Sequence, residues 1–275
     1  MEESYRKTIY TIIVVANSLS ILSCLLILSI YILAKNLRIY AFKLVSILCI
    51  IDILKSLSMI LPTYSLNSSD SMCKIQGIFV QFFTLASFMM TFITGLALYM
   101  CIYIRNDYIS KANWFFGIIV FIFPFIGTLL PWYYNMFEKD RVWCWVGRDP
   151  IFWRIITFYG PLWLLNGINL WIYIKIIRKI NEREHGSIKR LRIYPLILVL
   201  CYLPATIERT FEMVSYGDSI IMIIMMGVGD GLLGLANAIC YGFTDHVKNY
   251  VFEKFCKKKN LSTHELLDYE KMMLE

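Results

Sequence analysis

Ile75–Ile104 reads IQGIFVQFFTLASFMMTFITGLALYMCIYI, thirty residues without a charge. A helix rises about 1.5 Å per residue, so about 20 such residues cross a hydrocarbon core of about 30 Å. An uncharged run of that length reads as a membrane span. Working outward, the chain repeats the pattern. Thr8–Ala34 and Tyr40–Pro62 come before it, and Trp114–Tyr134, Phe152–Ile177, Ile193–Ser215 and Ser219–Phe243 come after it. The predicted fold is an all-α membrane protein, a bundle of seven transmembrane helices. Seven is odd, which puts the two ends on opposite sides of the membrane.

Composition agrees. Of 275 residues, 58% are hydrophobic and 17% charged, which excludes an ordinary soluble domain. The connections are short and leave no room for a soluble catalytic domain. Residues 1–243 are read as the bundle and 244–275 as an inner tail. In that tail Val247, Val251 and Phe255 recur at i, i+4 and i+8 while Lys248 and Lys254 fall off the stripe, which predicts a short amphipathic eighth helix on the inner surface. Cys256 follows it, either a palmitoylation site or an unmodified juxtamembrane thiol. Met1-Glu2-Glu3-Ser4 lacks a basic n-region, so the first apolar stretch is expected to be retained as an anchor.

The net charge of +7 is distributed by topology. With the N-terminus outside, the inner segments hold 18 basic residues and the outer segments 7. Contact with anionic lipid explains this excess better than a nucleic-acid polymer does. The same orientation sorts the eight cysteines. Cys24, Cys49, Cys101, Cys201 and Cys240 lie within spans, where thiols behave as small apolar groups. Cys73 and Cys144 are the two outer ones, in an oxidising compartment, and are expected to pair. That bond would pin the connection Asn135–Ile151 over the bundle mouth, with Trp143 and Trp145. Asn67-Ser68-Ser69 is an outer glycosylation sequon, and Asn260-Leu261-Ser262 an inner one that should stay bare.

Ionisable residues at membrane depth are costly and point to function. Asp52 and Lys55 share a face of the second span and can pair, or either can meet Asp230 of the seventh span across the bundle. Near the outer side, Arg154, Glu208, Arg209 and Glu212, together with Trp143, are candidates for holding a small polar ligand; the two arginines suit phosphate or carboxylate. The competing reading pairs these charges with one another at the interface. Prolines at 124, 131, 161, 195 and 204 predict kinks, and Pro204 would let the inner end of the sixth span swing. No zinc-protease, redox-cysteine, nucleophile-elbow or phosphate-loop pattern occurs, and His185, His246 and His264 form no ligand cluster, so no cofactor, metal or catalytic set is expected. No internal repeat or filter-like segment points to a transporter or a channel.

Several strings then carry a resemblance. They are Cys73-Lys74-Ile75-Gln76-Gly77, Val80-Gln81-Phe82-Phe83, Ala86-Ser87-Phe88, Trp143-Cys144-Trp145-Val146, Trp153-Arg154, Phe158-Tyr159-Gly160-Pro161-Leu162-Trp163 and Arg192-Ile193-Tyr194-Pro195-Leu196. In that order they resemble the cyclic-AMP-receptor-like family of G-protein-coupled receptors. The resemblance implies a plasma-membrane receptor with an outer N-terminus and a cytoplasmic C-terminus. It would bind a small extracellular ligand, cyclic AMP or another small anion, and activate a heterotrimeric G protein by helix rearrangement. Parts also look like the rhodopsin-like class: Cys201-Tyr202-Leu203-Pro204 and Asn237-Ala238-Ile239-Cys240-Tyr241 stand near two of its switch motifs, whereas Tyr103-Ile104-Arg105-Asn106 lacks its acidic-Arg-Tyr triplet. Asp52, Lys55, Pro204, Asp230, Asn237 and Tyr241 are thus the candidate intramembrane switch, and Arg105, Lys189 and Arg190 the candidate G-protein contacts. The alternative is a seven-helix transporter or scaffold without G-protein coupling; an enzyme is not expected.

Overall fold

The computed structural model describes residues 3–35, 40–63, 70–103, 107–147, 151–181, 220–239 and 247. The fold is mostly helical. In chain order it runs α1 (Glu3–Leu33), α2 (Tyr40–Ile60), α3 (Asp70–Tyr103), α4 (Asp107–Tyr133), β1 (Phe137–Asp140), β2 (Trp143–Val146), a single turn α5 (Phe152–Arg154), a π-helical stretch Ile155–Tyr159, α6 (Gly160–Asn181), α7 (Ile220–Gly231) and α8 (Leu233–Asn237). Among the described residues, four helical segments are long and apolar enough to cross a membrane: Glu3–Leu33, Asp70–Met100, Trp114–Tyr133 and Phe152–Lys179. The sixth apolar stretch, the tail helix and its Cys256 lie outside the described residues.

Burial is inverted relative to a soluble bundle. Leu22, Leu25, Leu26, Ile32, Phe121, Ile122, Phe125 and Leu164 face outward, while Asn17, Asp52, Lys55, Gln76, Gln81 and Ser87 are fully buried. Lipid solvates the first set, and helix–helix contacts must satisfy the second. Packing is centred on α3, which touches α2, α4, α6 and the hairpin. On α1 the buried stripe Ile9, Ile13, Ala16, Ser20, Cys24, Ile27 and Ile30 follows the helical repeat. It lies against the seventh apolar stretch, where Gly227, Gly231 and Gly234 sit at i, i+4 and i+7. A Cβ at Gly227 would stand 2.7 Å from Ile13, and one at Gly231 would stand 2.9 Å from Asn17 Nδ2. Small residues at this spacing let two membrane helices approach backbone to backbone.

Two expectations are corrected. The connection Asn135–Ile151, read as a loop in an all-α protein, folds into an antiparallel hairpin with Phe137 opposite Val146 and Lys139 opposite Cys144. Its two-residue turn puts Arg141 at φ 62°, a left-handed conformation that costs a non-glycine residue about 1–2 kcal/mol. The fifth apolar stretch is not one regular helix: its first turn passes through the π-helical Ile155–Tyr159 before α6 begins. Pro161 has no N–H to offer Thr157 O, the usual i−4 acceptor. Gln81 Nε2 of α3 donates to that carbonyl instead, at 3.2 Å.

Candidate ligand cavity and buried polar network

One face of α3 builds the site. Cys73, Gln76, Gly77, Val80, Gln81 and Thr84 fall at i, i+3, i+4, i+7, i+8 and i+11, a single stripe. Cys73 closes a disulfide with Cys144, Cα to Cα 5.2 Å. Gln76 Oε1 accepts from the Cys144 backbone N–H at 2.8 Å and from the Thr63 hydroxyl. Gln76 Nε2 donates to Ser58 O and Leu61 O, both at 3.2 Å. Gly77 leaves room for Phe137, whose ring would stand 2.7 Å from a Cβ there. Gln81 Oε1 accepts from Trp145 Nε1 at 2.6 Å. Cys144 and Trp145 of β2 are therefore each bonded directly to α3.

Beneath it is a cavity of about 50 Å³ lined by Met59, Val80, Thr84, Trp143, Trp145, Phe158, Tyr159, Met226, Gly227 and Asp230. Its walls are largely aromatic and apolar, with Asp230 the one charged lining residue among the described residues. Water occupies about 30 Å³ per molecule in the liquid, so the space suits a few waters in this state. Trp145 meets Phe158 edge-on at 4.8 Å between centroids.

The candidate ligand residues separate. Trp143 lines the cavity. Arg154 does not: its Nη2 meets Asp140 Oδ2 at 2.9 Å, its Nε donates to Val146 O at 2.8 Å, and its guanidinium lies 4.9 Å from the Trp145 ring centre. Arg154 and Asp140 are each 1% exposed at the side chain. The guanidinium thus ties the base of the hairpin and is buried there with its carboxylate partner. Glu208, Arg209 and Glu212 lie outside the described residues, as do Pro204, Tyr241, Arg105, Lys189, Arg190 and Asn67.

Of the intramembrane candidates, Asp52, Lys55, Asp230 and Asn237 come together, and of the two pairings open to Lys55 the structure shows the one across the bundle. Lys55 does not bond Asp52 on its own helix. Its Nζ crosses to Asp230, donating to the carboxylate Oδ1 at 3.1 Å and to the backbone carbonyl at 2.7 Å. Asp52 is held by neutral donors, Ser87 Oγ at 2.6 Å and Asn237 Nδ2 at 2.9 Å. The Lys55–Asp230 pair joins α2 to α7 and reaches the cavity, and Asp52, three residues before Lys55 on α2, joins α2 to α3 and α8. Asn17, Gln76, Gln81, Ser87 and Asp140 were not singled out for roles from the sequence, although Gln76, Gln81 and Ser87 stand in the strings that carry the resemblance. The stripe spacing on α3 was the available signal for the two glutamines.

A disulfide-pinned hairpin over a cavity, set on apolar helices with a buried polar centre, fits a multi-pass helical membrane protein. The family model described as slime mold cyclic AMP receptor matches residues 1–182. The chain belongs to that receptor family, which is not a family of enzymes. It is similar to "G-protein coupled receptor 1" of Arabidopsis thaliana, 28% identical over 260 residues, covering 87% of this chain and 79% of that one. It is also similar to "Cyclic AMP receptor-like protein A" of Dictyostelium discoideum, 25% identical, covering 98% of this chain and 76% of that one. "Cyclic AMP receptor 4" of the same organism is 24% identical over 75% of this chain and 51% of its own length.

Proposed function

We propose that this chain is a seven-helix plasma-membrane receptor that binds a small extracellular ligand at the hairpin end and activates a heterotrimeric G protein at the other. In this reading the N-terminus is extracellular and the C-terminus cytoplasmic. Asn67 is then on the glycosylated side, and the amphipathic tail with a palmitoylated Cys256 on the inner leaflet. Arg105, Lys189 and Arg190 face the G protein. The names of the relatives suggest cyclic AMP or a related small anion as the first ligands to try.

The observation that carries the reading is that Asp230 belongs to two structures at once. It lines the cavity, and it takes the Lys55 ammonium that enters the buried network. A ligand larger than a few waters must widen the cavity, moving α7 or the hairpin. Moving α7 disturbs the Lys55 pair, and moving α8 with it disturbs the Asn237 bond to Asp52. A ligand shifts the balance between two such packings only by binding one of them better. The test is guanine-nucleotide exchange on purified heterotrimers, using membranes that carry the chain, first without ligand and then with cyclic AMP and a panel of small anions. Exchange that rises with one compound supports the reading. A flat response across the panel, from disulfide-bonded protein, counts against it.

A further inference from the structure

The π-helical turn Ile155–Tyr159 holds one residue more than an α-helical path needs. Its closing bond runs from the Gly160 N–H to Ile155 O, five residues back, where an α-helix closes on the residue four back, Ile156. Two residues encode this turn. A Cβ at position 160 would stand 2.9 Å from Ile155 O, so the close approach suits glycine. Pro161 donates nothing, and Gln81 takes the Thr157 carbonyl that is left over.

The inserted residue sets what lines the cavity. Thr157, Phe158 and Tyr159 are buried in succession. Successive side chains of an α-helix diverge by about 100°, which turns neighbours away from a common wall. Here Phe158 and Tyr159 both line the cavity, their rings edge to face at 5.1 Å. Downstream, α6 packs Asn169 onto Gly95 of α3. Asn166 Nδ2 and Asn169 Oδ1 are buried without a partner among the described residues. Unpaired buried amides cost free energy, so this register holds α6 less firmly than Gln81 and Arg154 hold the start of the fifth stretch.

We propose that the turn is a stored residue, released when something larger than a few waters fills the cavity. Besides a movement of α7 or the hairpin, the π-helical turn closes as an α-helical one, withdraws one of the two rings from the wall and so makes room. The Gly160 N–H exchanges Ile155 O for Ile156 O, and no backbone bond is lost. Arg154 and Thr157 stay with the hairpin and α3. The chain from Gly160 on turns by about 100° and advances by about 1.5 Å, the step of one residue. At the other end of α6 this carries Lys175 O away from the Tyr103 hydroxyl, which donates to it at 2.9 Å. The device deepens the receptor reading and rests on it only for its consequence; the turning itself is measured separately.

The full chain is reconstituted in nanodiscs with genetically encoded spin labels in place of Leu22 and Leu164, both of which face lipid. Their separation is read by pulsed electron paramagnetic resonance. Thr84→Phe fills the cavity from within and stands in for a ligand. It should move the label on α6 by about 8 Å round a helix about 11 Å across, to a new, resolved distance. Deleting Ile156, an exposed residue of the turn, removes the stored residue. In that background Thr84→Phe should leave the distance where it was. Gly160→Ala, whose methyl opposes the wide closure, should give the new distance with the cavity unfilled. Thr84→Phe without a shift overturns the proposal, as does a shift that persists without Ile156. If Thr84→Phe does not fold, Gly160→Ala with and without Ile156 decides by the same outcomes. A shift with unchanged nucleotide exchange counts against the receptor reading and leaves the device; changed exchange without a shift does the reverse.

Discussion

The two polar regions of the bundle are built on opposite principles. At the hairpin end Gln76, Gln81 and Arg154 each make two or more bonds, so the hairpin is tied to α2, α3 and the start of the fifth apolar stretch at several independent points. Halfway down, the Asp52 carboxylate is met by two neutral donors, Ser87 and Asn237, where a carboxylate has room for about four. Around it Asn17 Oδ1, Ser20 Oγ, Ser56 Oγ and Asn237 Oδ1 are buried without a partner among the described residues. Spent donors and acceptors define one geometry; unspent ones leave others within reach. The hairpin end, where the two glutamines and Arg154 are spent even though Thr84 Oγ1 is buried without a partner among the described residues, is taken as the anvil, and the centre as the place where the helices can re-pair.

The contrast breaks first at the disulfide. Cys144→Ser, or Cys73→Ser, removes a cross-link over 71 residues. The expected loss is about 4 kcal/mol. Surface expression and thermal unfolding in detergent should both collapse. A variant that keeps its wild-type Tm would show that the glutamine bonds suffice and that the anvil is overbuilt.

Next comes the buried pair. Asp140→Asn leaves the Arg154 cation buried without its carboxylate, at an expected cost of about 3 kcal/mol. Changing both residues at once, with Asp140→Leu and Arg154→Met, should recover most of it, because a matched apolar pair carries no desolvation cost. Thermal unfolding of Asp140→Leu, Arg154→Met and the double variant closes the cycle. If ligand response survives in the double variant, the guanidinium holds the hairpin and does not read the ligand. A response lost while Tm is restored would return Arg154 to the ligand site.

How much of this was legible in the sequence follows from the range of each interaction. The four helices long and apolar enough to cross a membrane were legible because lipid demands an apolar run, and that demand is local. The disulfide was legible because topology sorts eight cysteines into two outer ones. The hairpin was not: Glu138-Lys139-Asp140-Arg141 has no β-branched residue, and its pairing is imposed from outside by Cys73, Gln76 and Arg154. Arg154 was read as a ligand cation because its partner, Asp140, lies 14 residues away inside a segment that looks like polar loop. Lys55 was read as able to pair with Asp52 by the i, i+3 rule, or with Asp230 across the bundle. The structure takes the second course: Asp52 is met by a hydroxyl and an amide, while Asp230 offers both its carboxylate and its backbone carbonyl to one ammonium.

A smaller change sharpens the central region. Gly231→Ala places a methyl 3.0 Å from the Ala16 Cβ and 2.9 Å from Asn17 Nδ2. Overpacking of this kind costs about 1–3 kcal/mol and should push α7 away from α1. Basal nucleotide exchange should change along with Tm, because α7 carries Asp230. A Tm loss with unchanged exchange would separate the α1 contact from signalling.

The smallest expected effect on stability is the most informative. Asn237→Ala deletes one of the two donors to Asp52, a bond of 2.9 Å. It also deletes an amide oxygen that has no partner among the described residues, so one gain offsets part of the loss, and the net should be only about 1 kcal/mol. If the centre merely fills space, exchange should track the amount of folded protein. If it is where the bundle re-pairs, removing a bond that only one packing can make shifts the balance between packings by about that amount. A shift of 1.4 kcal/mol is tenfold in an equilibrium, so basal or ligand-stimulated exchange should move several-fold in a protein of almost unchanged Tm. At the hairpin end no variant should show that split, because every bond there belongs to the one geometry.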